Sequence, residues 1–203
     1  MAKKELKLHP VVAPSEIVVV SAYDEDGRAD ACTLAFYMVS GLKPLCVTIA
    51  VNAEKKRKTL KSMRRQNAFT LAFPGTDQIR ETDYLGVESG YNTDKLKNLG
   101  WTVSRAETVH APLINEMRLS LECEIIHTVT IGSHIHITGE VRRILADESI
   151  LNENDNIVLE KLKPIIYDEE QLRYLGIGTK QGDAYKTGAA LKKEMAGLKE
   201  GSL

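Results

Sequence analysis

The sequence is poor in cysteine, and its cysteines suit neither a disulfide framework nor a thiolate metal site. Cys32, Cys46 and Cys123 are the only three in 203 residues, they lie far apart, and none belongs to a C-x-x-C pair. Cys46 and Cys123 stand in apolar strand patterns, where a free thiol commonly packs in the core. The cysteines therefore predict neither a zinc centre nor a covalent cross-link.

Aromatic residues are also scarce, at 5% of the chain. A barrel that binds nucleic acid through a basic helix would need interleaved aromatic side chains on which bases can stack. The formal net charge is −1 at pH 7, which is that of an ordinary globular protein and not of a dedicated nucleic-acid binder. We expect no nucleic-acid partner.

Long hydrophobic runs are absent as well. No uninterrupted apolar stretch approaches the ~20 residues that span a membrane, and residues 1–9 lack the apolar centre of a signal peptide. The sequence thus predicts a cytoplasmic protein with no membrane segment. Because it also lacks repeats and Gly/Ser/Pro linkers, it predicts one domain over residues 1–203, with a C-terminal extension from about residue 177.

The chain does contain a series of short strand patterns with a few helices inserted. The predicted strands cover residues 17–23, 29–36, 44–51, 68–73, 119–125, 128–131 and 134–144, and the predicted helices begin near residues 55, 76 and 93. A tight turn at 24–28 and another at 132–133 predict two hairpins, residues 86–90 and 110–114 predict loops, and Gly100 is predicted to end the third helix. A doubly wound α/β fold would need a helix after nearly every strand. The pattern favours an all-β fold with a few helices, an antiparallel barrel or sandwich.

A cationic segment, residues 55–65, follows the third predicted strand and opens a helix. At a helix start, free backbone N–H groups and the positive end of the helix dipole can face one anion together with Arg57, Lys58 and the Thr59 hydroxyl. The segment therefore predicts a phosphate site. The alternative interpretation is an ordinary solvated helix face.

Several short motifs follow one another in a fixed order along the chain. They are residues 18–23 with Gly27-Arg28, Ala31-x-Thr33-x-Ala35, Arg57-x-Thr59, Asp83-x-x-Gly86-x-x-Ser89-Gly90, Asp94-Lys95, Ala111-Pro112-x-Ile114, Leu121-Glu122-Cys123, Gly132-x-His134 and Gly139-Glu140-Val141. In this order they resemble the flavin-reductase-like, FMN-binding split-barrel family, especially its flavoredoxin-like members, over roughly residues 10–176. Each motif alone is weak, and the ordered set carries the resemblance.

The resemblance implies a fold and a chemistry. It implies a homodimer of antiparallel Greek-key split β-barrels, each with six strands, that binds FMN near the subunit interface. It also implies transfer of hydride or electrons between the flavin and either a nicotinamide cofactor, NAD(P)H, or a redox protein partner. The chain would then be an NAD(P)H-dependent flavin oxidoreductase or an electron carrier.

The resemblance further implies which residues contact the cofactor, and one of them departs from the family. Where the family usually has asparagine in an Asn-Ala-x-Thr motif, this chain has Asp30, and Thr33 closes the motif. An ionised aspartate only accepts hydrogen bonds, and its charge would disfavour an anionic reduced flavin. Asp30 is therefore turned away, or lowers the flavin potential, or marks a chain that has lost flavin binding.

The other implied contacts lie at both ends of the cofactor. They are Phe36 over a ring face, Arg57, Lys58 and Thr59 at the phosphate, Ser89 and Lys95 in the Ser-Gly…Asp-Lys segment, and His134 and Tyr167 near the flavin. Without the resemblance, these aromatic residues would be core or interface residues, and Ser89 and Lys95 would be ordinary surface residues. No side chain is required as an acid–base catalyst.

A metal-binding barrel is the alternative function. His134, His136 and Glu140 share one face of an unbroken strand and resemble the His-x-His…Glu ligand pattern of cupin barrels. The glycines that flank that motif in cupins are absent at the right spacing, and His127 could complete a ligand set only through the hairpin register. The flavin interpretation is therefore preferred.

Overall fold

The computed structural model describes residues 3–5, 14–189 and 191–192. Its strands are β1 (Ser15–Glu16), β2 (Val18–Tyr23), β3 (Ala29–Leu34), β4 (Tyr37–Leu42), β5 (Leu45–Asn52), β6 (Ala68–Ala72), β7 (Val103–Arg105), β8 (Pro112–Ile114), β9 (Leu119–Ile131), β10 (His134–Ala146), β11 (Ile166–Asp168) and β12 (Arg173–Leu175). Its helices are α1 (Lys58–Gln66), α2 (Ile79–Val87), α3 (Lys95–Leu99) and α4 (Leu159–Leu162). Within the predicted C-terminal extension, residues 190 and 193–203 lie outside the described residues.

The main sheet is antiparallel, with its strands in the order β3-β2-β6-β9-β10-β5-β4. Strands β3 and β4 stand at opposite ends of that order, yet only Ala35 and Phe36 separate them in sequence. The Phe36 carbonyl also accepts a hydrogen bond from the Ala50 N–H of β5, at 3.0 Å. The two ends of the sheet therefore meet, and β3 with β4 forms one broken strand of a six-stranded barrel. The predicted all-β split barrel is confirmed.

Both predicted hairpins are present. Strands β2 and β3 pair across the 24–28 turn, where Gly27 adopts a φ of 76°. Strands β9 and β10 pair along almost their whole lengths, and Gly132 turns the chain with a φ of 56°. Residue Gly100, with a φ of 69°, ends α3 as the sequence predicts.

Six strands were not predicted, namely β1, β4, β7, β8, β11 and β12. Strand β4 was missed because most of its side chains are exposed, so the alternation that marks a half-buried strand is absent. Residues 112–114 were predicted as loop because of Pro112, but they form β8 and pair with β7 in a separate two-stranded sheet. Proline is tolerated there because the strand is an edge strand. Helix α2 also runs to Val87, so the loop that was predicted to begin at residue 86 begins two residues later, at Glu88.

The hydrophobic core fills the barrel, and a smaller cluster lies outside it. Val18, Val20, Phe69, Leu71 and Ile137 are among the buried interior residues. The outer cluster packs the opposite face of β2 and β3 against helices α2 and α3, and it contains Val19, Ala31, Leu85 and Leu96. Strand β2 is therefore buried on both faces, which explains its continuous apolar run. Cys46 and Cys123 are buried, as predicted.

None of the helices in the described part of the chain combines the length and the apolarity of a transmembrane segment.

Candidate functional site

Helix α1 begins without a capping side chain. Its N-cap is Arg57, in extended conformation with φ −109° and ψ 119°, and its first turn contains no acidic residue. Arginine cannot accept the backbone hydrogen bonds that Ser, Asp or Asn would accept at this position. The first N–H groups of the helix therefore have no side-chain cap, and together with the positive dipole end they could bind an anion.

A cavity of about 420 Å³ lies at this helix start. Four parts of the chain form it: residues 55–59 at the start of α1, residues 86–90 around the end of α2, and side chains from β3 and α3. Its lining includes six residues predicted to bind the cofactor, which are Asp30, Arg57, Lys58, Thr59, Ser89 and Lys95. We refer to it as the helix-start cavity.

A second cavity, of about 280 Å³, adjoins the first. Its lining includes the remaining predicted residues, which are Thr33, Phe36, His134 and Tyr167. Arg57, Gly86 and Val87 line both cavities, so the two adjoin at these residues. We refer to the second as the aromatic cavity. The fold thus brings all ten predicted residues to two adjoining cavities, which together we call the groove.

Arg57 is the residue at the junction of the two cavities. Its Nη1 donates to the sulfur of Cys32 at 3.2 Å and to the Gly86 carbonyl at 3.4 Å. Its Nε is buried and has no hydrogen-bond partner among the described residues. A buried N–H without an acceptor is costly, so this guanidinium is suited to a ligand that brings one.

Asp30 lies in a closed cluster of partners. Its Oδ2 accepts a hydrogen bond from the Thr59 hydroxyl at 2.5 Å, and its Oδ1 lies 3.6 Å from the Lys95 ammonium. Asp30 and Lys95 are 4% and 3% exposed. A Cβ built on Gly90 would stand 2.2 Å from Oδ1, so only glycine fits against this carboxylate. The charge of Asp30 is therefore balanced within the protein by Lys95.

These contacts occupy several of the groups predicted to contact the cofactor. The Lys95 ammonium also donates to the carbonyls of Leu85 and Glu88, at 3.2 and 3.4 Å. The Lys58 ammonium lies 2.8 Å from the buried Asp24 carboxylate. Burial would raise the pKa of Asp24, but hydrogen bonds from Lys58 and from backbone N–H groups outweigh it and lower that pKa below its ordinary value. Arg57 and the helix N–H groups keep spare donor capacity.

The Ser89 hydroxyl also has a partner within its own loop. It accepts a hydrogen bond from the backbone N–H of Tyr91 at 3.3 Å. The Ser89 N–H in turn donates to the Glu88 carboxylate at 2.6 Å. These bonds shape the loop between α2 and α3, which forms one wall of the helix-start cavity.

The aromatic cavity is built from pairs of rings. Phe36 and His134 have ring centroids 5.6 Å apart, and the His134 Nδ1 lies 3.0 Å from the Ser133 hydroxyl. Tyr167 and Tyr174 have centroids 5.9 Å apart. The Thr33 hydroxyl donates to the Thr82 carbonyl at 2.5 Å, which ties β3 to α2. This end of the groove offers flat, largely apolar walls.

Some lining residues were not predicted to contact a ligand. Tyr174 donates to the Asp83 carboxylate at 2.5 Å, and burial together with this hydrogen bond raises the pKa of the Tyr174 phenol. The thiol of Cys32 lines the helix-start cavity, and burial raises its pKa although the charge of Arg57 opposes the shift. Asp83 and Gly86 belong to one of the sequence motifs quoted above, so the sequence did contain a signal for these two residues. No sequence motif indicated that Tyr174 or Cys32 would line a cavity.

The metal-binding alternative is not supported by the geometry. His134, His136 and Glu140 do share one face of β10, but six residues of extended strand separate the first from the last by about 20 Å. The Glu140 carboxylate accepts a hydrogen bond from Arg142 at 2.7 Å. Within the described ranges, no cluster of three or more His, Cys, Asp or Glu side chains could hold a metal ion.

Comparisons with known proteins agree with this geometry. A family model described as "Flavin reductase like domain" matches residues 12–176, a span that includes every residue lining the two cavities. An uncharacterized protein of Aquifex aeolicus (strain VF5) is 26% identical over 158 residues, which is 76% of this chain and 81% of that protein.

Two solved structures are similar over nearly the whole chain. The flavoredoxin of Desulfovibrio vulgaris (Miyazaki F) is 28% identical with a TM-score of 0.85, and the match covers 92% of this chain and 100% of that one. The flavoredoxin from Methanosarcina acetivorans is 25% identical with a TM-score of 0.87, and the match covers 94% and 100%.

The Asp30–Lys95 pair can be tested by stability. Asp30→Asn removes the charge that balances Lys95 but keeps an oxygen that can accept from Thr59. We expect the free energy of unfolding to fall by about 3 kcal/mol, because the Lys95 ammonium is left buried without its counter-charge. Urea unfolding followed by circular dichroism measures this change.

A double-mutant cycle is the control for that experiment. Asp30→Asn combined with Lys95→Met removes both charges, and it should recover part of the stability lost by either single variant. If the stability losses of the two single variants simply added in the double variant, Asp30 and Lys95 would not form an ion pair in solution.

Proposed function

Because this chain belongs to the flavin reductase-like domain family, we propose that it binds FMN non-covalently and passes hydride or electrons through it. Family membership gives the chain a flavin-related redox role. The proposal adds the identity of the flavin, the residues that hold it and the direction in which the phosphate points. Both flavoredoxins are at least a quarter identical to this chain, which supports a flavoredoxin-like role.

One observation carries the proposal: the two cavities adjoin at Arg57, which lines both of them. The helix-start cavity is cationic and rich in backbone donors, whereas the aromatic cavity has flat walls. FMN has a phosphate at one end and a planar ring system at the other. A groove with a cationic end and an aromatic end matches such a ligand in both charge and shape.

At the phosphate end, Arg57 and the first N–H groups of α1 would hold the anion. The buried Nε of Arg57 has no partner among the described residues, and a phosphate oxygen would supply one. The exposed ammonium groups of Lys55 and Lys56 line the same cavity. Thr59 and Lys95 contribute through Asp30, since their side chains fix the β3 wall against α1 and the 86–90 segment.

At the ring end, the protein would supply position and shielding. Thr33 is fixed by its hydrogen bond to Thr82, and Phe36 is fixed against His134, so the wall keeps one shape. Tyr167 and Tyr174 also line the cavity. When bound, the flavin itself supplies the hydride and electron chemistry. We propose that NAD(P)H or a redox protein partner delivers or removes the electrons.

The phosphate contact can be tested with Arg57→Ala. We expect FMN affinity to weaken by about 1–3 kcal/mol, the range for the loss of a charge-assisted hydrogen bond. Riboflavin lacks the phosphate, so its affinity should change little. Titration followed by flavin fluorescence measures both. An equal loss of riboflavin affinity would show that Arg57 does not contact the phosphate. Lys97→Ala is a matched control, because Lys97 is exposed and lines neither cavity.

We also propose that the chain is a homodimer formed through β4. This strand is paired on one side only, by β5, and it exposes Met38 and Leu42 by 57% and 79%. An exposed apolar edge strand is normally covered by another surface. Phe36 directly precedes β4, so a second copy bound there would stand beside the aromatic cavity.

The dimer can be tested by sedimentation equilibrium. The wild-type protein should sediment at twice the chain mass at micromolar concentration, and Leu42→Glu should shift it toward the monomer because a buried charge would have no partner. A wild-type monomer would contradict the proposal.

A further inference from the structure

A third cavity, of about 510 Å³, runs along the exposed face of α1. Six cationic side chains line it: Lys55, Lys56, Arg57, Lys61, Arg64 and Arg65. The first three also line the helix-start cavity, so the two cavities are neighbours around the start of α1. We refer to this third cavity as the outer cleft. Its volume lies within the range of small-molecule sites.

The positive charge of the outer cleft is only slightly neutralised. The Glu25 carboxylate contacts Lys61 at 3.2 Å and Arg65 at 3.3 Å. Lys55, Lys56 and Arg64 are exposed and form no ion pair with any described residue. The sequence contains no acidic residue from 55 to 76, although the whole chain has a net charge of −1. This face therefore concentrates positive charge locally and attracts polyanions.

The outer cleft also contains an aromatic side chain. Tyr91, on the loop between α2 and α3, is 54% exposed and lines the cleft together with Lys61 and Arg65. Leu60 adds a half-buried apolar surface from the helix. Binding of an acidic protein surface would require only the cationic side chains. A phosphorylated nucleoside would contact the cationic side chains through its phosphates and the aromatic side chain through its base.

We propose that the outer cleft binds the phosphorylated adenosine portion of a dinucleotide. The proposal rests on the proposed flavin site, because the helix-start cavity takes the flavin phosphate and the outer cleft takes the phosphates beyond it. Two molecules carry the required chemistry. One is FAD, whose AMP half would extend from the flavin phosphate, and the other is NADPH, whose adenosine 2′,5′-bisphosphate half would bind beside it.

The test removes two cations that line the outer cleft but not the helix-start cavity. Arg64→Gln with Arg65→Gln should lower adenosine phosphate affinity at least about tenfold, because each arginine supplies charge-assisted hydrogen bonds. FMN affinity should change less than about twofold. The control is Lys43→Gln with Lys97→Gln, which removes the same charge from exposed positions outside the outer cleft.

Two sets of calorimetric titrations distinguish FAD from NADPH as the source of the bound adenosine group. Apoprotein is titrated with FAD and with FMN, and FMN-loaded protein is titrated with adenosine 2′,5′-bisphosphate and with NADP⁺, which has the same adenosine half as NADPH but cannot reduce the flavin. A selective loss of FAD affinity in the arginine double variant assigns the cleft to the cofactor. A selective loss of adenosine 2′,5′-bisphosphate and NADP⁺ affinity assigns it to the donor. Either result supports the proposal.

Tyr91→Ala separates base stacking from charge. It should weaken adenosine 2′,5′-bisphosphate about fivefold or more, since stacking of one base is worth about 1–3 kcal/mol, and it should leave inorganic pyrophosphate unchanged. The proposal is overturned if the arginine double variant binds every adenosine ligand as tightly as the wild type does. It is equally overturned if the lysine control variant loses as much adenosine phosphate affinity as the arginine double variant. It is also overturned if only the binding of an acidic peptide, polyglutamate, is altered.

Failure of the proposed flavin site would be visible separately. If the wild-type protein did not take up FMN, adenosine 2′,5′-bisphosphate could still be titrated against the unloaded protein and its variants. Retained, arginine-dependent binding in that case would leave the outer cleft as a nucleotide site without a flavin neighbour.

Discussion

The buried contact of Asp30 with Lys95 and Thr59 is the interaction on which the groove depends. It joins β3, the first turn of α1 and the start of α3, three parts of the chain that are distant in sequence. Removing one charge from such a pair leaves the other without compensation in a low-dielectric interior. The wall of the helix-start cavity is therefore fixed by an ion pair in which each charge compensates the other. Glycine is required at position 90 because a side chain there would collide with the Asp30 carboxylate.

This arrangement determines which groups remain for a ligand. Since Lys95 and Thr59 are committed to Asp30, and Lys58 is committed to Asp24, the free donor capacity at the helix start is concentrated in Arg57 and the backbone. Arg57 also lies where the two cavities join. The closure of the barrel through Ala35 and Phe36 brings the aromatic wall to the same point. A single residue thus connects the cationic and aromatic ends of the groove.

Much of the fold could be predicted from local pattern, whereas the pairing of charges could not. The hairpins, the basic helix and the Gly100 helix end follow from turn residues and periodicity, which act over a few positions. Strand β4 lacked a buried face and therefore gave no alternation. The ordered motifs selected ten residues that the fold gathers into one groove. They could not indicate that Asp30 pairs with Lys95, or that Lys58 is directed to Asp24, because those contacts depend on tertiary packing.

The departure from asparagine at position 30 acquires a physical explanation from that packing. An isolated carboxylate beside a flavin would repel an anionic reduced form, but a carboxylate balanced by a buried lysine adds little net charge to the groove. Asp30, Lys95, Thr59 and Gly90 thus form a matched set in this chain. The set is compatible with a phosphate held by Arg57.

The most direct test is the visible absorption spectrum of the wild-type protein after FMN is added and the excess is removed by gel filtration. A groove that holds FMN retains the flavin bands at close to one FMN per chain. A colourless protein that retains no flavin would contradict the proposed FMN site. The fold would then have kept the groove but lost the ability to bind the cofactor.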